Sequence, residues 1–245
     1  MVRAVPATWS AFYATELQAC WALLPVPALY LVWRVLAGRP RAAGALPAAA
    51  AFIDGYAVAF ALETMLDPLA TGPLLRALGV ADGAAGTAVM IVFVLLGDFR
   101  VYLLLFALLA VAEGRSWRAA LPTAAAWTLL VPLTAYPLST AVRAARPAAD
   151  PNTIWLLYES LFALVALALR ARLVPRRVPG DQPALRAFLR EALAYAALYY
   201  GLWGAADALI QLGGLDVGWL LRVVPNQLYY AFWIPFVVVR FFARR

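Results

Sequence analysis

Residues 86–112 read GTAVMIVFVLLGDFRVYLLLFALLAVA, a run whose only charged members are Asp98 and Arg100. A helix needs about 20 mostly apolar residues to cross the hydrocarbon core of a bilayer. This run exceeds that length and holds no proline to break it. It predicts a membrane-spanning helix with an acid and a base near its middle. An ionisable side chain there costs at least about 2.5–3.5 kcal/mol on insertion scales, and usually faces a bundle interior or water.

The rest of the chain repeats the pattern. The spacing of apolar runs predicts seven spans, at about 10–34, 46–66, 86–112, 118–140, 152–172, 185–211 and 217–240. Gly/Pro/Arg stretches separate them: Gly38 to Arg41, Asp67 to Gly86, Glu113 to Arg115, Arg143 to Pro151, Pro175 to Pro183, and Gly213-Gly214. No separator is long enough for a soluble domain, so residues 1–245 read as one all-α, polytopic membrane domain. A hydrophobic fraction of 65% exceeds the roughly 45–50% of soluble domains. The mean hydropathy of +0.81 agrees, and makes the lipid bilayer the first partner.

The net charge of +7 comes from 20 arginines against 13 acids. Fourteen arginines fall on one side of the predicted spans: Arg34, Arg39, Arg41, Arg115, Arg118, Arg170, Arg172, Arg176, Arg177, Arg186, Arg190, Arg240, Arg244 and Arg245. Only Arg3, Arg76, Arg143 and Arg146 fall on the other. Positive loops stay in the cytoplasm, so the reading is a multi-pass protein of the cell membrane, N-terminus outside and C-terminus cytoplasmic. The same distribution removes nucleic acid as the reason for the basic charge. No cleavable signal peptide is read at the N-terminus.

Absent residue types exclude chemistry. Without histidine there is no haem ligation, His-based zinc site or Ser-His-Asp catalysis. Without lysine there is no retinal Schiff base. The single cysteine, Cys20, has no disulfide partner in the chain. No dense acidic motif for a metal stands out, and no cofactor is expected.

Helices 1–3 and 5–7 read as two halves, 10–112 and 152–240, joined by a linker helix at 118–140. Glu16 aligns with Glu159 at an offset of 143; Tyr56 aligns with Tyr200 and Glu63 with Asp207 at 144. Asp98 aligns with Asn226 at 128. Parallel repeats are one recognised plan for transporters. The arrangement, with Pro225-Asn226 in the seventh span and Asp98 in the matching third-span position, resembles the SWEET and PQ-loop transporters. That resemblance implies two three-helix bundles around a midplane site. The chain departs from the family in having no Pro-Gln pair, no proline inside helix 5, and Asp for the third-helix Asn.

Helical spacing sorts the buried polar residues into faces. Residues four apart share a face, which groups Asp98 with Tyr102, Glu63 with Asp67, Asp207 with Gln211, and Arg222 with Asn226 and Tyr230. Asp54 is half a turn out of phase with Glu63 and is left aside; Glu16 reads as interfacial. The expected site is an acidic cavity open to the outside. It joins Glu63, Glu159 and Asp207 above a floor of Asp98, Asn226, Tyr102 and Tyr230, partly neutralised by Arg222 and Arg100. Trp9, Trp117, Trp155 and Trp219 read as interfacial belt.

Three functions fit. The first is a transporter of a small molecule or ion, proton-coupled through these carboxyls. The second is an intramembrane enzyme using carboxyl acid–base chemistry on a lipid-like or isoprenoid substrate, with Glu63 and Asp207 as catalytic acids. In size and reliance on an acidic pair the chain is similar to small seven-helix terpenoid cyclases. The third is a non-catalytic subunit or receptor. The topology is checked directly: a reporter active only in the cytoplasm, fused to the C-terminus, is expected to be active, and one active only outside is expected to be silent.

Overall fold

The computed structural model describes residues 8–38 and 47–243. Arg3, Arg39, Arg41, Arg244 and Arg245, five of the arginines used for orientation, lie outside the described residues, as does all of the first separator after Gly38. Among the described residues the fold is all-helical. After a short helix, Trp9–Tyr13, come α1 (Leu17–Ala37), α2 (Pro47–Ala77), α3 (Ala84–Ala112), α4 (Trp117–Ala145) and α5 (Thr153–Arg177). They are followed by α6 (Pro183–Gln211) and α7 (217–242). The first five are long and apolar enough to cross a membrane. The last two are more polar, with Tyr195, Tyr199, Tyr200 and Asp207 on α6 and Arg222, Asn226 and Gln227 on α7.

Large apolar side chains stand exposed along the outside: Leu36 on α1, Leu133 on α4, Leu164 on α5 and Leu198 on α6. A water-soluble monomer rarely leaves so much apolar surface uncovered. These are the features of an integral membrane protein.

Two boundaries differ from the hydropathy reading. Residues 9–13 do not begin the first span; they form a separate short helix that packs on α7. The second helix does not end at residue 66. Pro68 and Pro73 read as breakers, yet the chain stays helical to Ala77 through a π-turn over Ala70–Leu74. Proline removes a donor from the helical ladder. Here the wider turn absorbs the register change, and the Thr71 hydroxyl donates to the Asp67 carbonyl at 2.7 Å.

α3 is the central rod. Every residue from Arg100 to Val111 is buried, as expected for a helix that is apolar all round and surrounded by others. Its C-terminus closes with a Schellman motif. Gly114 adopts φ +73°, the Arg115 amide reaches back to Ala110 and the Gly114 amide to Val111. Glu113 then accepts from both Arg115 and Arg177, tying α3 to the end of α5. Desolvation pushes Glu113 up, but these hydrogen bonds outweigh it and leave the carboxyl below its ordinary range. Arg34 pairs with Asp54 at 2.6 Å and Arg240 with Glu191 at 2.6 Å near the same end.

α7 is interrupted. Pro225 lies inside it, and a π-turn follows over Gln227–Phe232. Interrupting the ladder leaves backbone carbonyls in need of partners. The Tyr195 hydroxyl supplies one to Leu228 at 3.1 Å, and Arg100 supplies one to Tyr229 at 2.8 Å.

α6 and α7 approach closely at Gly218, where an added Cβ would lie 2.7 Å from the Ala206 carbonyl oxygen. Gly218→Ala is therefore expected to lower stability by about 1–3 kcal/mol through overpacking. Gly201→Ala, on a part of α6 with nothing within 4 Å of the new carbon, is expected to be neutral or up to about 1 kcal/mol stabilising from helix propensity. Thermal unfolding of both variants in lipid nanodiscs checks the contrast.

Candidate functional site

The interruption of α7, the extension of α2 and the short N-terminal helix together leave a cavity of about 400 Å³. It lies toward the end of the bundle opposite Glu113. α5 contributes Trp155, Tyr158 and Glu159; α6 contributes Tyr200 and Trp203; α7 contributes Arg222, Asn226, Tyr229 and Tyr230. Asp67 and Thr71 come from α2, Met90 and Val94 from α3, and Tyr13 from the short helix. Seven of these lining residues are aromatic, beside two carboxyls, one guanidinium and one amide.

Each polar group is held from behind. Asp67 accepts from the Tyr230 hydroxyl at 2.9 Å. Asn226 accepts from the Trp203 indole at 2.8 Å and donates to the Tyr13 hydroxyl at 3.2 Å. Arg222 lies 3.5 Å from Glu159, pairs with Asp207 and reaches the Tyr13 hydroxyl at 3.3 Å. The other Glu159 oxygen, Oε2, is buried with no hydrogen-bond partner.

Below the cavity lies a second polar layer. Arg100 is wholly buried; its guanidinium stacks 3.8 Å from the centre of the Tyr229 ring and 3.7 Å from Glu63. Tyr229 comes against α3 at Gly97, where any side chain would overlap its hydroxyl. Tyr56 donates to the Arg100 carbonyl at 3.0 Å and accepts from the Trp233 indole at 2.9 Å. Asp98, also wholly buried, points the other way and accepts from Tyr158 and Tyr200. Residues two apart on a helix do not share a face, so Asp98 and Arg100 serve opposite sides of α3.

Several of the residues singled out in the sequence meet here. Glu159, Arg222, Asn226 and Tyr230 line the cavity. Asp207 stands behind Arg222, Glu63 below with Arg100, and Asp98 behind two tyrosine rings. Tyr102 is not in the cavity lining; its ring packs against Trp127 and against Phe162, which stacks on the Tyr200 ring. Asp54 pairs with Arg34, apart from the site, and Glu16 pairs with Arg76 in an exposed bridge.

Sequence reasoning missed Asp67, Tyr13, Tyr158, Tyr200 and Tyr229 as site residues, and read Trp155 as interfacial belt. Asp67 carried a signal, its four-residue spacing from Glu63. The tyrosines carried none, because a neutral aromatic at a helical position reads the same whether it faces core, cavity or lipid. Among the described residues no group of His, Cys, Asp and Glu is arranged to hold a metal ion. Compared with known protein families, with curated proteins and with solved structures, the chain matches none.

The N-terminal helix forms a roof at Tyr13, which bonds to Asn226 and Arg222, and Asp216 fastens the start of that helix. The Asp216 carboxylate accepts the Trp9 amide at 2.6 Å and the Ser10 amide at 3.1 Å. The Trp9 amide above all, then Ser10, holds its carboxyl below the ordinary carboxylate range. A depressed carboxylate contributes stability that is present above the unfolded pKa of about 3.9 and is lost as pH falls through the folded value. The protection of the Trp9 and Ser10 amides against exchange, relative to an unstructured chain at the same pH, is therefore expected to fall on acidification below about pH 4. In Asp216→Ala that protection is expected to be low already at neutral pH. Equal protection in the variant and wild type would show that Asp216 does not hold the roof.

Proposed function

We propose that this protein is an intramembrane enzyme whose aromatic cavity holds an apolar, isoprenoid-type substrate and acts on it by carboxyl acid–base catalysis. The observation that carries this reading is the shape and lining of the cavity. It is walled by aromatic rings, two carboxyls face into it, and beneath Tyr229 it meets the packed layer of Arg100, Trp233 and the wholly buried stretch of α3. A blind aromatic pocket suits a substrate that enters, rearranges and leaves by the same side. We also propose that all seven helices cross the membrane, with the Asp216 end outside.

The chemistry is a proton in and a proton out. A carboxylic acid at Asp67 or Glu159 gives its proton to a terminal alkene or epoxide. The acid O–H bond breaks as the new bond to substrate forms, and a carbon cation remains. The cation closes rings against the aromatic faces, which favour positive charge. The carboxylate then takes a proton from the final cation, restoring an alkene and the acid. The sequence is an isomerisation and consumes no oxidant or reductant. Positioned acid–base groups contribute about 10²–10⁴-fold to such steps. Glu63 and Asp207, the acids the sequence favoured, are not in the cavity lining, whereas Asp67 and Glu159 line it and are the better placed to reach substrate.

A second reading, a transporter of the SWEET type, draws support from one feature. α7 is broken over Pro225 to Phe232 beside the binding residues, and interrupted helices are the usual substrate elements of transporters.

Purified protein in nanodiscs, incubated with geranylgeraniol or its terminal epoxide, is expected to give an isomer of unchanged mass with fewer alkene protons by NMR. Asp67→Asn and Glu159→Gln are each expected to lower its formation at least about hundredfold in folded protein. No isomer from wild type, together with solute accumulation in proteoliposomes, would replace the enzyme reading with the transporter.

A further inference from the structure

The walls of the cavity are not electrically alike. On the α7 side the Arg100 guanidinium stacks on the Tyr229 ring, 3.8 Å from its centre. On the α5–α6 side the Tyr158 and Tyr200 rings line the cavity while their hydroxyls donate to separate oxygens of the same buried carboxyl, Asp98. No ion pair with arginine neutralises Asp98 among the described residues. Arg100 is turned toward Glu63 and Tyr229, and Arg222 toward Glu159 and Asp207.

Two physical effects follow. A phenol whose proton is drawn to a carboxylate leaves more electron density on its ring, and the ring face is where an aromatic attracts a cation. The carboxylate field also reaches the cavity through low-dielectric surroundings, where charge interactions are much stronger than in water. Asp67, Asp98, Glu159 and Asp207 stand at or directly behind the cavity wall against the single guanidinium of Arg222, with Glu63 and Arg100 paired below. The excess is acidic, and it is concentrated behind Tyr158 and Tyr200.

We propose that the cavity is selective for a positively charged centre seated against Tyr158 and Tyr200, and that Asp98, which never touches the ligand, sets this selectivity through those two hydroxyls. Asp98 is thus a positioning residue. The proposal deepens the enzyme reading by naming what the cavity stabilises, a carbocation in a reaction or a quaternary ammonium as a stable mimic. It rests on that reading for the identity of the cation alone; the site itself requires no turnover.

The test uses two probes of one shape, hexyltrimethylammonium and its uncharged carbon isostere 2,2-dimethyloctane. Binding to the protein in nanodiscs is read by tryptophan fluorescence and corrected for partition into empty nanodiscs. Wild type is expected to favour the ammonium at least about tenfold. Asp98→Asn is expected to reduce that preference about tenfold while leaving the isostere within twofold. Tyr158→Phe and Tyr200→Phe keep the rings and remove one hydroxyl each, and each is expected to lose part of the preference. These two decide the matter if Asp98→Asn fails to fold. Equal binding of both probes by wild type would overturn the proposal. So would a melting temperature lowered in the variants with the preference intact, the result of a purely structural Asp98. Cation preference without isomerisation of geranylgeraniol would sink the enzyme reading and leave the site standing.

Discussion

The fold depends on how a wholly buried guanidinium is accommodated. Arg100 sits in the middle of the most apolar helix of the chain, where an unpaired charge is costly enough to prevent assembly. Three groups on two neighbours compensate for it. Glu63 supplies opposite charge, the Tyr229 ring supplies its face, and the Tyr229 carbonyl supplies an acceptor. That carbonyl lies within the π-turn that interrupts α7. So a residue on α3, an acid on α2 and a break in α7 form one interlocked unit, and none of them makes physical sense alone.

The same unit shapes the site. With Arg100 committed to one side of α3, Asp98 is left to the other, where only neutral hydroxyls meet it. The two residues form a dipole across the central helix. Arg222 repeats the arrangement near the cavity mouth, compensated by Glu159 and Asp207. Exposed bridges such as Arg76 with Glu16 contribute little, about 0–1 kcal/mol. The buried ones hold helices in register, because breaking one strands a charge at about 3–5 kcal/mol.

Much of this could be read from the chain before any coordinates. Apolar run length located α3, α5 and the interior of most other helices. The cost of burying charge marked Glu63, Asp98, Arg100, Glu159, Asp207 and Arg222 as residues that need partners. What stayed hidden was which partner each one takes. Spacing along one helix gives a face, but the facing residue belongs to another helix whose rotation is set by packing. Asp98 illustrates the gap: spacing put it on a face with Tyr102, and the structure gives it Tyr158 and Tyr200 from two other helices. The end of α2 was hidden for a different reason. Proline is a breaker in water, whereas in an apolar setting a wide turn and a threonine hydroxyl let the helix continue past Pro68 and Pro73.

The Glu113 knot has a mechanical meaning. It binds the ends of α3 and α5, and the Arg34–Asp54 and Arg240–Glu191 pairs bind α1 to α2 and α6 to α7 near the same level. At the opposite end the helices surround a void and are bridged by Asp216, Arg76 and the short helix. The molecule is built like a clothes-peg, with its spring at Glu113 and its jaws around the cavity. Splaying of the helices about the tied end would translate into the largest opening around the cavity where a ligand must pass.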